Sequence, residues 1–433
     1  MAGNTAHSGR GGGYGWVLTA ISFFTGVIEL GTFKSFGVLI LPICKSLETS
    51  ISAIGTAMAA SHTACYLIVP LVKFMTAKYD SRRLVIVGGG VMFVSFLGIY
   101  WAKDISQFVV FVILWGIGVS FACNPPFVAM LAYFPTNAAL PIGITQTGCA
   151  FGMMIYPPLT DALIQMYGWR GTILILTAIN ANVLFLGALI KPPPSAYSQL
   201  VSDHIVCSKM TNSSRNQPTL KSGCIDAVKE ILAAMSFDVL WKQPKSAVYS
   251  LVTFLIGVMY SAWMIYLVPH AVARGIGSQP ASLLSTAGGV GTLIGRILYG
   301  PILHREYIKP VTMFILLAFV NLVAFVLDPV VSDNYPGLVC LASVNGLTLG
   351  TMSSMFILIG QQVLEDDGPI RAWATMCVFF AFGELAGGAF AGLVYDAFGS
   401  YEVSFLLLGG LSAVVGAVAV LERLLNYCTA VGK

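Results

Sequence analysis

The feature that most constrains this chain is a long succession of apolar runs, separated by short polar breaks that often contain Pro or Gly. A helix of about 20 apolar residues spans the hydrocarbon core of a bilayer. The 433 residues are 57% hydrophobic and only 10% charged, whereas a soluble domain carries about 25% charged residues. The sequence therefore predicts an all-α integral membrane protein.

Cutting the chain at its polar breaks predicts twelve transmembrane helices. The predicted spans are 15–43, 51–75, 83–102, 107–133, 137–164, 169–190, 246–272, 280–303, 309–330, 335–363, 370–397 and 401–425. The predicted units are an N-terminal tail (1–14), a six-helix bundle (15–190), a middle loop (191–245), a second bundle (246–425) and a C-terminal tail (426–433).

The two halves resemble each other at corresponding links between spans. The segment "KFMTAKYDSRR" (73–83) corresponds to "GPILHREYIKP" (300–310), and "YGWRGTILIL" lies where the second half has "FGSYEVSFLLL". Parallel six-helix repeats are the design of major-facilitator transporters, whose substrate site lies between the halves near the membrane midplane. We therefore expect two bundles around a central site.

The distribution of Lys and Arg predicts the orientation in the membrane. Most lie on the side that carries both termini and the middle loop, and only Lys45, Lys103, Arg170 and Arg274 lie opposite. Cytoplasmic loops carry an excess of positive charge, so both termini are predicted to be cytoplasmic. The first apolar segment is longer than the core of a signal peptide, and we expect it to be retained.

The middle loop contains a pattern typical of a surface helix. Apolar residues recur at helical spacing from Ile225 to Val239, and charged residues occupy the opposite side. This pattern predicts an amphipathic helix that lies on membrane lipid at the inner surface. The nine cysteines show no pairing across predicted outward loops, which argues against a disulfide framework.

Lys34 and Arg296 are cations inside predicted spans, one in each half. A cation near the bilayer centre costs about 2.5–3.5 kcal/mol on insertion scales, so it needs a compensating partner. Ion pairs that only hold helices together are one explanation. The alternative, which we favour, is a shared anion site, because buried acids are few and Arg presents a planar fork suited to a carboxylate.

Two acidic residues also lie within spans, Glu29 in the first and Glu384 in the eleventh. Glu29 is about 140° around the helix from Lys34, and it either lines the cavity as a proton site or pairs with a neighbouring helix. Glu384 precedes a run of small residues, and a local structural bond is the favoured alternative to proton coupling. His62 is interpreted as a buried structural histidine. Together with Lys34, Glu29 and Glu384 are the candidates for proton coupling.

Several polar residues within spans could complete a substrate site. They are Asn124, Gln146, Thr292, Ser353 and Ser354. Each of them singly is better explained as a hydrogen-bonding group between helices. Asn124 is the strongest candidate, because Pro125 and Pro126 follow it and free carbonyl groups that a cavity can hydrate.

Charged residues cluster at the link between the second and third spans. Asp80, Arg82 and Arg83 lie there, and Arg305 occupies the corresponding link of the second half. The cluster either sets topology only or forms a gating latch that pairs with a neighbouring helix end in one access state. The two interpretations are equally open.

No enzyme signature, phosphate-binding loop, paired-Cys motif or metal-ligand spacing occurs. We therefore predict no enzymatic activity, no cofactor and no metal. A net charge of +4, with no basic stripe, does not indicate nucleic-acid binding.

Several stretches resemble the monocarboxylate transporter family, a branch of the major facilitators. They are "GGYGWVLTAISFF" before and in the first span, "FGVL" after Lys34, "LAYFPTNAALPIGITQTGCAFG", "YGWRG" and "GELAGGAFAGLVYDAFGSY". The resemblance implies that Lys34 and Arg296 contact a substrate carboxylate. It also implies a plasma-membrane location, and some members of the family require a single-span glycoprotein partner.

The chain departs from that family at three places. The acidic residue before the first span is replaced by Gly11 or Gly12, and a basic run after Phe134 is replaced by "PTN" (135–137). Proton-coupled members carry an aspartate one turn before the arginine, and this chain has Thr292 there.

The sequence thus predicts a secondary transporter that moves a small organic anion, a monocarboxylate above all, by alternating access, with proton symport left open. The alternatives are a uniporter of amino-acid-like or other larger or neutral solutes, and a non-transporting receptor or sensor on the same scaffold.

Overall fold

The computed structural model describes residues 12–76, 78–134, 139–191, 244–305, 307–331, 334–363 and 369–431. The predicted helix around 225–239 and the N-terminal tail up to residue 11 lie outside these residues. Within them, every regular element is helical. This confirms the all-α prediction.

Twelve α-helices follow in chain order. They are α1 (Gly12–Ser46), α2 (Ile51–Leu67), α3 (Val69–Thr76), α4 (Ser81–Trp101), α5 (Ile105–Tyr133), α6 (Ala139–Ala188), α7 (Pro244–Ala273), α8 (Ser278–His304), α9 (Pro310–Leu327), α10 (Tyr335–Val363), α11 (Pro369–Phe398) and α12 (Glu402–Val431). One short 3-10 turn, Pro329–Val331, follows α9. The last helix continues to Val431, so most of the predicted C-terminal tail is helical.

Eleven of the described segments are long and apolar enough to span a membrane, and α2 and α3 together form one of them. The 50-residue α6 contains two crossings, because Gly168 has φ 65° and turns the chain between 139–167 and 169–188. This left-handed conformation is accessible to Gly at little cost. The described chain therefore crosses the membrane twelve times, as predicted, and it is a multi-pass membrane protein.

The helices form two bundles, α1–α6 and α7–α12, with apolar side chains buried between them. The membrane face at which α1 begins and α12 ends is called the terminal side here, and the opposite face, between Ser46 and Ile51, is called the far side. Even numbers of crossings in each bundle bring the described ends of both bundles to the terminal side.

The bundles pack most closely along α2 and α11, toward the far side. A Cβ atom on Gly388 of α11 would collide with Ala59 of α2, and one on Gly55 of α2 would collide with the Tyr266 hydroxyl of α7. The Tyr266 hydroxyl in turn donates to the Gly388 carbonyl over 2.8 Å. Small residues allow such backbone approach in membranes, and here they seal the far side.

Candidate functional site

A cavity of about 120 Å³ lies between the two bundles. Its lining on α1 runs from Ser22 to Leu30, in the half of that helix nearer the terminal side. Other lining residues come from α2, α5, α6, α7, α8, α10 and α11, so both bundles contribute. The cavity therefore lies on the terminal side of the Gly55–Gly388 contacts.

Arg296 of α8 lines this cavity and is 7% exposed. Its Nη1 donates to the Gln146 carbonyl of α6 over 2.8 Å, and its Nε donates to the Gly350 carbonyl of α10 over 3.4 Å. No carboxylate among the described residues forms an ion pair with it. Since a guanidinium has five N–H donors, it retains donors for an anionic ligand.

Glu29 of α1 lines the same cavity. Its carboxylate interacts electrostatically with His62, Glu384 and Arg296, and it lies near the Cys123 thiol of α5. Within the described part of the chain it forms no ion pair. One negative and one positive side chain thus face a single cavity without direct contact.

Lys34 lies outside the cavity lining, one turn beyond Leu30 toward the far side. It is 1% exposed, and its Nζ donates to the Met264 carbonyl of α7 over 2.9 Å. The same Nζ lies 4.4 Å from the ring centroid of Trp263, in cation–π geometry. The lysine therefore connects the two bundles in this conformation.

The predicted polar residues divide into two groups. Asn124, Gln146 and Ser353 line the cavity with Arg296. Thr292 and Ser354 are buried outside it, and their hydroxyls donate to backbone carbonyls: Thr292 to Gly288 and Gly346, and Ser354 to Gly350. Thr292 and Ser354 therefore serve helix packing in this conformation and do not face the cavity.

His62 and Glu384 form a contact that the sequence did not predict. The Nδ1 atom of His62 on α2 lies 2.8 Å from Oε1 of Glu384 on α11, and the two side chains are 1% and 0% exposed. Glu384 thus bonds across the bundles rather than locally. The spacing of the two residues in the chain gives no signal for this contact, because it depends on how the halves dock.

The predicted latch residues lie at the terminal side. Asp80 is 3.8 Å from the Nε atom of Arg83 within the same link, and both are exposed. Arg305 donates to the Tyr307 hydroxyl over 3.4 Å, and Arg82 is exposed. Both of these contacts are therefore local, each within its own link.

Two six-helix bundles that enclose a charged, membrane-embedded cavity define a membrane transporter, not an enzyme. The family model of the Major Facilitator Superfamily matches residues 17–377. The chain belongs to this superfamily.

Among curated proteins, similar relatives are monocarboxylate transporters. Human monocarboxylate transporter 11 is 23% identical over 92% of this chain and 81% of its own length. Human monocarboxylate transporter 7 is 23% identical over 91% and 83%, and human monocarboxylate transporter 2 is 22% identical over 97% and 88%.

A solved structure with the same fold is that of a bacterial homolog of the human lysosomal transporter Spinster, in an inward-facing and unoccupied conformation. It has a TM-score of 0.68 and 14% identity, and it covers 96% of this chain and 97% of its own. At this identity the likeness concerns the fold alone.

Proposed function

We propose that the protein carries a small organic anion, of the monocarboxylate class, across the plasma membrane by alternating access. The observation that carries the proposal is the Arg296 guanidinium, which faces the cavity and has no carboxylate partner among the described residues. Guanidinium–carboxylate pairs form short, paired hydrogen bonds that fix both position and orientation. The names of the relatives support the same substrate class.

The polar lining completes this anion site. Gln146 lines the cavity with Arg296 and offers its side-chain amide to a bound carboxylate. Asn124 and Ser353 also line the cavity, but their donors bond Ser120 and the Gly350 carbonyl in this conformation, so they must reorient to reach the solute. Apolar neighbours such as Phe127 and Phe380 contact the organic part of the solute. A concave, mainly apolar site with a few convergent polar groups is typical of small-molecule binding.

Glu29 is the proposed proton-coupling residue. When its carboxylate is ionised, the cavity carries one negative and one positive side chain, and an anionic solute gains little net attraction. A proton on Glu29 leaves Arg296 as the net charge, which favours the anion. Proton-coupled members of the similar family carry an aspartate at the position of Thr292, and Glu29 would take over its role here. Symport of one proton with one anion follows.

The orientation follows from the positive-inside distribution of Lys and Arg. With both termini cytoplasmic, the terminal side is the cytoplasmic side and the structure is inward-facing. In this state we expect the latch residues Asp80, Arg82, Arg83 and Arg305 to be released from partners across the bundles, and to pair when the cytoplasmic side closes. A single-span glycoprotein partner remains a prediction from the family resemblance.

Glu29 and Arg296 together favour one other candidate solute, a zwitterion such as an amino acid. Its ammonium group would face Glu29 and its carboxylate would face Arg296, which satisfies both buried charges at once. Uptake would then require Glu29 to be ionised, whereas monocarboxylate symport requires it to bind a proton. The two candidates therefore predict opposite effects of pH.

The deciding experiment is uptake into proteoliposomes of a panel of radiolabelled monocarboxylates and zwitterionic amino acids, with and without a pH gradient. We expect monocarboxylate uptake to rise when the side facing the solute is acidic. The monocarboxylate proposal would be overturned in favour of the zwitterion if the protein took up amino acids but no monocarboxylate, and if this uptake did not decrease at alkaline pH. Arg423→Ala is the matched control for Arg296→Ala in this assay, because Arg423 is exposed and lies outside the cavity lining.

A further inference from the structure

The His62–Glu384 pair lies between the cavity and the sealed far side. Along α2, Gly55 and Ala59 contact α11 at the far side, His62 follows one turn later, and Tyr66 lines the cavity. The Tyr66 ring packs edge-on against both His62 and Phe380, with centroid distances of 5.1 and 5.3 Å. These rings separate the pair from the cavity.

The two residues of the pair belong to different bundles. The His62 imidazole stacks on Phe33 of α1 in the first bundle, with a centroid distance of 4.1 Å and an interplanar angle of 16°. Glu384 is on α11 in the second bundle, and a second bond joins the bundles beside the pair, from the Thr63 hydroxyl of α2 to the Ala381 carbonyl of α11 over 3.0 Å. When the bundles separate at the far side, the Nδ1–Oε1 contact must break.

The pair leaves two polar atoms without partners. His62 Nε2 and Glu384 Oε2 are both buried and have no hydrogen-bond partner among the described residues. A buried polar group without a partner is destabilising, so the pair is not optimised as a static structural bond. The arrangement is better suited to a contact that forms and breaks.

The surroundings of the pair disfavour net negative charge. The titratable groups that interact with it are Glu29 on α1, Cys65 and Tyr66 on α2, Tyr260 on α7 and Cys377 on α11. Lys34 on α1 points instead to the Met264 carbonyl of α7. Among the described residues, no cation other than the histidine itself forms an ion pair with Glu384.

We propose that His62 and Glu384 form a proton-dependent gate, which takes up one proton when the far side closes. A neutral imidazole beside an ionised carboxylate would bury one uncompensated negative charge, which is strongly unfavourable. One added proton makes the pair neutral overall, either as imidazolium with carboxylate or as imidazole with carboxylic acid. When the far side opens, water hydrates both groups, and above about pH 6.5 the extra proton leaves to the solvent.

The consequence is a linkage between proton concentration and conformation. The far-side-closed state binds one proton more than the open state, so its population rises as the pH falls. Over one pH unit within the titrating range the population ratio changes at most about tenfold. This gate depends on alternating access and not on which solute is carried.

The test uses the full-length transporter in nanodiscs, with spin labels at the exposed far-side positions Lys45 and Gln279 in a cysteine-free variant that retains uptake. Distances between the labels are measured from about pH 5.5 to about pH 8.5, a range that spans histidine titration. We expect the long-distance, far-side-open population to increase about tenfold or more with rising pH. No change in the parent protein would overturn the proposal.

Glu384→Gln is the decisive variant, because an amide can still bond His62 but cannot carry the negative charge. In this variant only His62 of the pair titrates, and it binds its proton more readily in the hydrated open state, so we expect the open population to fall rather than rise as the pH increases through about 6.5. A pH response equal to that of the parent protein would contradict the gate.

His270 provides a matched control. Its Nε2 atom lies 2.9 Å from Oδ2 of Asp328, and its ring stacks on Phe405 with a centroid distance of 4.3 Å. Both residues belong to the second bundle, so His270→Gln should leave the pH response intact. Because these distances are measured without solute, failed monocarboxylate uptake would refute the proposed function and leave the gate standing.

Discussion

The two intramembrane cations, Lys34 and Arg296, occupy different environments. Arg296 faces the cavity and donates to the Gln146 and Gly350 backbone carbonyls. Lys34 is outside the cavity and is held between the bundles by the Met264 carbonyl and the Trp263 ring. The sequence predicted that both would face one anion site, and this conformation brings only Arg296 to the cavity.

We infer that the two cations act at different steps of a transport cycle. Arg296 faces the cavity in the conformation described here, and we assign it to solute binding in this state. Lys34 is held between α1 and α7 by the Met264 carbonyl and the Trp263 ring, and we assign it to the far-side-open state, in which these helices would be apart.

The largest effect is expected from Arg296→Ala. Hydrogen bonds to charged groups contribute about 1.5–3 kcal/mol, so we expect solute affinity to fall by one to two orders of magnitude, with uptake close to background. Uptake and binding in proteoliposomes measure this loss, and Arg296→Lys should restore part of it. Full uptake by the alanine variant, at equal reconstituted protein, would refute the role of Arg296.

Lys34→Met should reduce the uptake rate about tenfold, because a neutral side chain of similar length loses the Met264 bond and the anion contact of the far-side-open state. Binding to the far-side-closed state should change less than about threefold. Equal losses of rate and of binding would show that Lys34 contacts the solute in both states. Counterflow rates and equilibrium binding separate the two.

Glu29→Gln should abolish the stimulation of uptake by a pH gradient, since the amide keeps the cavity permanently in its proton-bound charge state. We expect uptake at acidic pH to remain within about threefold of the parent. If gradient stimulation persists in this variant, Glu29 is not the coupling residue.

The smallest effect is expected from Trp263→Leu, which removes the cation–π contact of Lys34. Such contacts contribute about 0.5–2 kcal/mol, so the far-side-closed state should be destabilised by a corresponding amount. The far-side spin-label distances measure the shift. Trp263→Phe keeps a ring below Nζ and should give a smaller shift than Trp263→Leu.

Helix positions were predictable from the sequence because each transmembrane helix needs a run of about 20 apolar residues to cross the bilayer. Apart from the C-terminal helix, the helix ends agree with the predicted spans to within a few residues, and the two crossings of α6 follow from the break at Tyr167–Trp169. Contacts between bundles were not predictable in the same way. The bond from His62 to Glu384 joins residues 322 positions apart and depends on docking geometry.

The candidate site was predictable in part. The sequence identified five residues that line the cavity, because a polar group within an apolar span is costly unless it has a partner or a function. They are Arg296, Glu29, Asn124, Gln146 and Ser353. Thr292 and Ser354 were identified by the same rule. Since hydroxyl groups can bond to the carbonyl one turn earlier, they satisfy themselves within the helices and need no cavity.

The seam at Gly55 and Gly388 has a consequence for how quickly the far mouth can open. Glycine on one side of each of these contacts leaves few interlocking side chains, chiefly those of Ala59 and Tyr266, so parting the surfaces requires little rotamer rearrangement. A methyl group at either glycine would collide with the opposite helix and prevent the far side from closing fully. The absence of two side chains therefore makes this face of the molecule both tight and easily reversible.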